Sequence, residues 1–169
     1  MVNMKYRKAY QDTPVSVSKS REEIDKILMR WGVVGIQWED SFEAGVVQLR
    51  FKWKREDGSV LTARFRIHIA SEEALHQIAV DKRSGQFSEK KYTREKLSRG
   101  KREHRVLLNL LKNVFEAIEA GIMKAEAILL PWIEDSDGQT VYDKLAPNLS
   151  MLASKPLHMA LAASKETNE

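Results

Sequence analysis

Five cations set at every second residue dominate the chemistry this chain offers. Arg50, Lys52 and Lys54 alternate with Leu49, Phe51 and Trp53, and Arg64 and Arg66 alternate with Ala63, Phe65 and Ile67. Successive side chains of a strand point to opposite faces. Two such runs joined by a turn therefore predict a β-hairpin with one apolar and one cationic face. A row of guanidinium and ammonium groups suits a partner with repeating negative charge, above all a nucleic-acid backbone. A solvated face screened by salt explains the same pattern, because exposed Lys and Arg are common on any sheet.

A second cationic stretch lies further along. Residues 82–105 hold ten Lys/Arg against three Glu, a local excess of +7 in a chain of formal charge +4. Lys90, Lys91, Arg94, Arg99, Lys101 and Arg102 make a second candidate phosphate strip. If both sets together neutralise roughly five to seven phosphates, affinity should fall with salt at a log–log slope of about −4 to −6. Tyr92 is the aromatic residue best placed to stack on a base. Phe51, Trp53 and Phe65 fall on the apolar face of the hairpin, and Trp38 reads as core.

Other chemistry is sparse. His68, His76, His104 and His158 have no second ligand-type residue at metal-binding spacing, so neither a metal nor a cofactor is expected. Asp135 and Asp137 resemble the start of a calcium loop, but Gly138 comes too early and the closing Glu is missing. A turn accounts for them. There is no phosphate-cradling Gly-rich loop and no nucleophile-elbow serine. A nuclease core of the restriction-endonuclease type would use an acid (Glu22, Glu23 or Asp40) with a Glu-x-Lys strand pair to hold metal. Gln48-Leu49-Arg50 stands where that pair is needed, which removes a metal ligand. No catalytic residue is therefore assigned.

The elements that must position the cations follow from pattern. Ser20 with Glu23 forms a capping box for a helix over about 20–31, with Ile24, Ile27, Leu28 and Trp31 on one face. Val33 to Glu39 reads as a first strand. Hydrophobic alternation sets the hairpin register: a three-residue loop, Glu56-Asp57-Gly58, puts Trp53 opposite Leu61, Phe51 opposite Ala63 and Leu49 opposite Phe65. Gly58 takes the left-handed position of a bulge. The same register sets Arg50 opposite Arg64, a like-charge pair that is mildly destabilising. Ser71 caps a short helix. Residues 81–100 read as a basic loop. A long helix is predicted from Arg102 to about Leu130, with an apolar stripe through Leu107, Leu111, Val114, Ile118 and Leu129 wide enough to cover a sheet or a second subunit. Pro131 ends it, Asp135 to Gly138 turn, and Val141 to Leu145 form a short helical turn.

The expected fold class is α+β. A three-stranded antiparallel meander packs against an N-terminal helix and one long C-terminal helix, within one domain at 18–149 between an irregular 1–17 and a tail at 150–169. A chain of 169 residues can bury a substantial core. No apolar run is long enough for a membrane span, and Met1 to Tyr10 lack the apolar core of a secretory signal. The absence of cysteine excludes disulfides and thiolate chemistry and fits a cytoplasmic setting.

Two resemblances add to this. The segments Leu107-Leu108-Asn109-Leu110-Leu111-Lys112, Glu116 to Ile122, Leu129-Leu130-Pro131-Trp132-Ile133 and Asp137-Gly138-Gln139-Thr140-Val141 resemble uncharacterised proteins of phage-like and bacterial sequence sets, over about Val15 to Leu149. That likeness implies a phage-associated setting and no catalytic residues. The order of elements, three strands and a helix with a basic hairpin, is similar to single-strand annealing proteins of the RecT type. The leading expectation is a non-enzymatic, sequence-tolerant DNA- or RNA-backbone binder. The alternatives are an assembly module that self-associates through the 107–129 helix and a metal-dependent nuclease-like domain.

Overall fold

The computed structural model describes Tyr10 and residues 13–55, 57–81 and 83–149. The expected tail at 150–169 and Lys82 lie outside them. In chain order the elements are α1 (Val17–Arg30), β1 (Val33–Ser41), β2 (Val46–Lys54), β3 (Val60–His68), α2 (Glu72–Ala79), α3 (Glu89–Glu119), α4 (Ala125–Leu129) and α5 (Val141–Leu145). Short 3-10 turns at Leu130–Trp132 and Ala146–Asn148 follow α4 and α5. The α+β class is as expected: the three strands form one antiparallel sheet in the order β1-β2-β3.

The hairpin register is the one that hydrophobic alternation demands. Trp53 pairs with Leu61, Phe51 with Ala63, Leu49 with Phe65 and Arg50 with Arg64. Arg55 N–H donates to Ser59 O at 2.8 Å and closes the loop, and Gly58 sits at φ +86°. Few side chains tolerate that backbone conformation. On the apolar face Leu49, Phe51 and Phe65 pack against Ile24 and Leu28 of α1 and Leu107, Leu108 and Leu111 of α3. Each such fully buried side chain contributes about 1.5–3 kcal/mol.

Three boundaries differ from expectation. Helix α1 starts at Val17, one turn early, because Ser16 is the cap: its hydroxyl accepts from Lys19 N–H at 3.2 Å. Ser20 is fully buried inside the helix and donates to Ser16 O, and Glu23 pairs with Arg105 at 3.0 Å rather than closing a capping box. The basic stretch is not a loop up to residue 100. Ser88 caps α3, accepting from Lys91 N–H, and the helix runs unbroken from Glu89 through the dense charge into the apolar stripe. Its opposite end comes early, at Glu119, and the chain turns at Gly121 before the separate five-residue α4.

The last segment adds a third layer. Ile133 bridges Ala63, and Glu134 N–H donates to Thr62 O at 2.8 Å, so the outer edge of β3 is paired at Thr62 and Ala63. From that edge the chain swings onto the non-apolar face of the sheet. Thr140 and Asp143 form a reciprocal capping box there at the start of α5.

Candidate nucleic-acid interface

The hairpin's cationic face is largely closed by the protein's own carboxylates. Arg64 is 4% exposed. It pairs with Glu134 at 2.9 Å and with Asp143 at 2.9 Å. Arg50 is half-buried between Glu134 at 3.2 Å and Glu39 at 3.3 Å. Arg66 reaches Asp143 at 3.7 Å and Gln48 at 3.4 Å. The Thr140 N–H and hydroxyl, and beyond them Arg66 and Arg64, hold the Asp143 carboxyl below its ordinary pKa, so it stays anionic at neutral pH. One network thus ties β1, β2, β3 and the C-terminal segment together. It also answers the Arg50–Arg64 repulsion: Glu134 sits between the two guanidinium groups. A phosphate could reach Arg64 only by displacing Glu134 and Asp143. Among the described residues Lys52 and Lys54, both exposed, form no ion pair and are what remains of the hairpin set.

Helix formation gives the second strip a geometry that a loop could not. At about 100° per residue, Lys90, Lys101, Arg94, Arg105, Lys91 and Arg102 fall in that angular order within an arc of about 120°. The core-facing stripe of α3, through Leu107, Leu111 and Val114, lies on the other side of the helix. Arg94 is open, with 73% of its side chain exposed and Glu95 no nearer than 3.9 Å. Lys90 is exposed and Lys91 and Lys101 are half-exposed, with no ion pair among the described residues. Arg105 is engaged by Glu23 and Arg102 by Glu103. Arg99 falls outside the arc and leans on Glu95 at 3.9 Å. Because α3 packs on the apolar face, its cations and those of the hairpin stand on opposite sides of the sheet.

The aromatics follow the same division. Phe51 and Phe65 are buried and stacked at 5.9 Å, and Trp132 stacks on Phe65 at 4.7 Å. Tyr92 is half-buried and tilted against Phe87 at 5.9 Å, which leaves it little freedom to take up a base. The stripe expected to serve self-association is mostly spent inside the chain. Leu107, Leu108, Leu111, Val114 and Phe115 are core, whereas Val106, Leu110 and Ile122 remain exposed.

One buried polar cluster escaped notice in the sequence. His104 is 1% exposed. Its Nδ1 lies 2.7 Å from Gly100 O, and Arg21 Nε–H points at its Nε2 at 3.0 Å. A guanidinium can only donate, so Nε2 must accept and Nδ1 must carry the proton. His104 is therefore neutral. Burial pushes its pKa down, the Gly100 carbonyl works against that, and Arg21 adds to it. Arg21 in turn pairs with Asp40 at 2.5 Å and lies over the Trp38 ring at 4.7 Å. An isolated histidine with no partner nearby in sequence carries no such signal, since Arg21 stands 83 positions away. Of the acids weighed for a nuclease, Glu22 pairs with Lys26, Glu23 with Arg105 and Asp40 with Arg21. Among the described residues no three His, Asp or Glu gather closely enough to share a metal ion, and no helix is long and apolar enough to cross a membrane.

Comparison with protein-family models, curated proteins and solved structures finds no match, so the reading of these surfaces rests on their own geometry.

Proposed function

We propose that this protein binds a nucleic-acid backbone without reading its sequence, through the outward stripe of α3. The observation that carries the proposal is the alignment of Lys90, Lys91, Arg94 and Lys101 on one solvent-facing side of a continuous helix. From Lys90 to Lys101 the stripe spans about 17 Å at 1.5 Å per residue, long enough to follow several phosphates. The stripe lacks the Asn or Gln that would read adenine, and Tyr92 is packed against Phe87 instead of being free to stack on a base. The proposal carries no catalytic step. It differs from the sequence-level expectation in location: the arginines of the hairpin serve the fold.

Fluorescence anisotropy with labelled single- and double-stranded DNA tests it. With about four cations engaged, the log–log salt slope should be roughly −3 to −4, shallower than both strips together would give. Lys90→Glu with Arg94→Glu should weaken binding at least about tenfold, and Lys52→Glu with Lys54→Glu should leave it nearly unchanged. No binding near about 50 mM salt, or equal losses in the two pairs, would sink the proposal.

A further inference from the structure

Beside the start of α3 lies an apolar cavity of about 410 Å³. It is bounded by the N-terminal turn of α1, the β1–β2 turn, Leu75 of α2 and the face of α3 opposite the cationic stripe. The helix explains the void. Thr93, Leu97, Gly100 and His104 recur at three to four residues, continuing the stripe that further along is Leu107, Leu111 and Val114. In the core that stripe is filled with large side chains. Here it carries a threonine and a glycine, and Gly100 has only Val17 Cγ2 within 4 Å of where a Cβ would stand, at 3.4 Å. Glycine inside a helix costs about 1 kcal/mol relative to alanine. The position thus gives up helix stability and side-chain volume together, at the wall of a cavity.

The rim is chemically distinct from the walls. Phe42 and Leu97 are large apolar side chains left 56% and 53% exposed at the mouth. Lys96 Nζ hangs 5.1 Å from the Phe42 ring and 5.7 Å from the Tyr92 ring, with Glu72 its nearest carboxylate at 3.9 Å. Inside, the Arg21–Asp40 pair and the neutral His104 are already satisfied by one another, so they ask for no further partner. Lys96, paired with Glu72 only at the 3.9 Å edge of ion-pairing range and lying over two ring faces, is the cation at the rim of this apolar well, and an anionic head would compete with Glu72 for it. That volume lies in the roughly 300–1,000 Å³ range of small-molecule sites, which pair apolar walls with a few placed polar groups.

We propose that this cavity binds a small amphipathic anion, an aliphatic or aromatic carboxylate, with its apolar part between α3 and the β1–β2 turn and its head against Lys96. The site is independent of the α3 cationic stripe, which faces the other way.

Decanoate is the probe. Titrated into the 15N-labelled protein, it should give saturable shifts centred on the amides of Thr93 to Gly100 and Ser41 to Val47. Decyltrimethylammonium, with the same tail and the opposite charge, should bind at least about tenfold more weakly, and Lys96→Glu should weaken decanoate by a similar factor. Gly100→Leu should fill the well and abolish binding. Thr93→Trp, on the helix surface at the mouth, provides a second block should the glycine variant not fold. Four results would overturn the proposal. These are no saturable shift, shifts centred instead around Ile122 and Met123, equal affinity for the cationic amphiphile, or a concentration-dependent dimer that Gly100→Leu dissociates. The last would assign the well to a second copy of the chain.

Discussion

Replacing Arg64 with methionine should destabilise the protein by about 3 kcal/mol, and the loss should begin in the C-terminal segment. The substitution keeps the apolar stem and deletes the guanidinium that binds Glu134 and Asp143 at 2.9 Å each. Breaking a buried ion pair from one side typically costs about 3–5 kcal/mol, because the remaining charge stays desolvated and unpaired. The lower end applies here. Glu134, with 8% of its side chain exposed, keeps Arg50, and Asp143, at 35%, keeps Arg66 and the Thr140 cap. For a chain of this size that corresponds to a fall in Tm of about 6–12 °C. Urea denaturation measures the global loss. Hydrogen exchange locates it, since the Glu134 and Val141 amides, bonded to Thr62 O and Ile133 O, should lose protection before the β2 amides do. A double-mutant cycle with Glu134→Gln should return a coupling of about 1–3 kcal/mol. A loss below about 1 kcal/mol, or strict additivity in the cycle, would refute the assignment of Arg64 as the clasp of the third layer.

Two further outcomes follow from the site geometry. The lowered pKa of His104 means that near and below the ordinary histidine pKa the unfolded chain takes up a proton that the folded chain refuses. Its contribution is therefore complete above about pH 6.5 and is lost on acidification through the folded pKa, with a slope of up to about 1.4 kcal/mol per pH unit. Arg21 and Asp40 are the charges that face the ring, so His104→Gln should flatten this part of the Tm–pH curve. An unchanged slope would mean that other groups carry it. At Gly45, where φ is +66°, a Cβ would stand 2.1 Å from the Ala70 carbonyl carbon and 2.2 Å from Ser71 N. Gly45→Ala should cost roughly 3 kcal/mol or more by denaturant titration, from backbone strain and overpacking together. A near-neutral result would show that the β1–β2 turn can move away from the start of α2.

The meander was legible because its information is local. Trp53 and Leu61, Phe51 and Ala63, and Leu49 and Phe65 alternate symmetrically about Gly58, and a one-residue slip would send all of them to water. The first turns of α3 were not legible by the same rule. Between Lys90 and Arg105 the apolar residues are few, so the period of the helix is carried by charges, which bury nothing and leave no stripe to count. Ser88 as a cap and Glu95 four residues before Arg99 were the available signals. The closure of the cationic face lay beyond any local reading. Apart from Glu39, its carboxylates come from Glu134 and Asp143, 70 and 79 positions after Arg64. Nothing near Arg50, Arg64 or Arg66 announces them. The cavity was hidden for the opposite reason: Gly100 and Thr93 break the apolar stripe in sequence, and a broken stripe looks like a loop until the helix around it is seen.

The late arrival of those carboxylates has a consequence for synthesis. The sheet is complete once β3 has emerged, but Asp143 follows about 75 residues later. At roughly 5–20 residues per second, Glu134 follows the end of β3 by about 3–13 s and Asp143 by about 4–15 s. During that interval Arg64 and Arg66 lack the carboxylates that pair them in the complete chain, and only Glu39 is at hand for Arg50. Completion of the chain supplies Glu134 and Asp143 and so closes the arginine face.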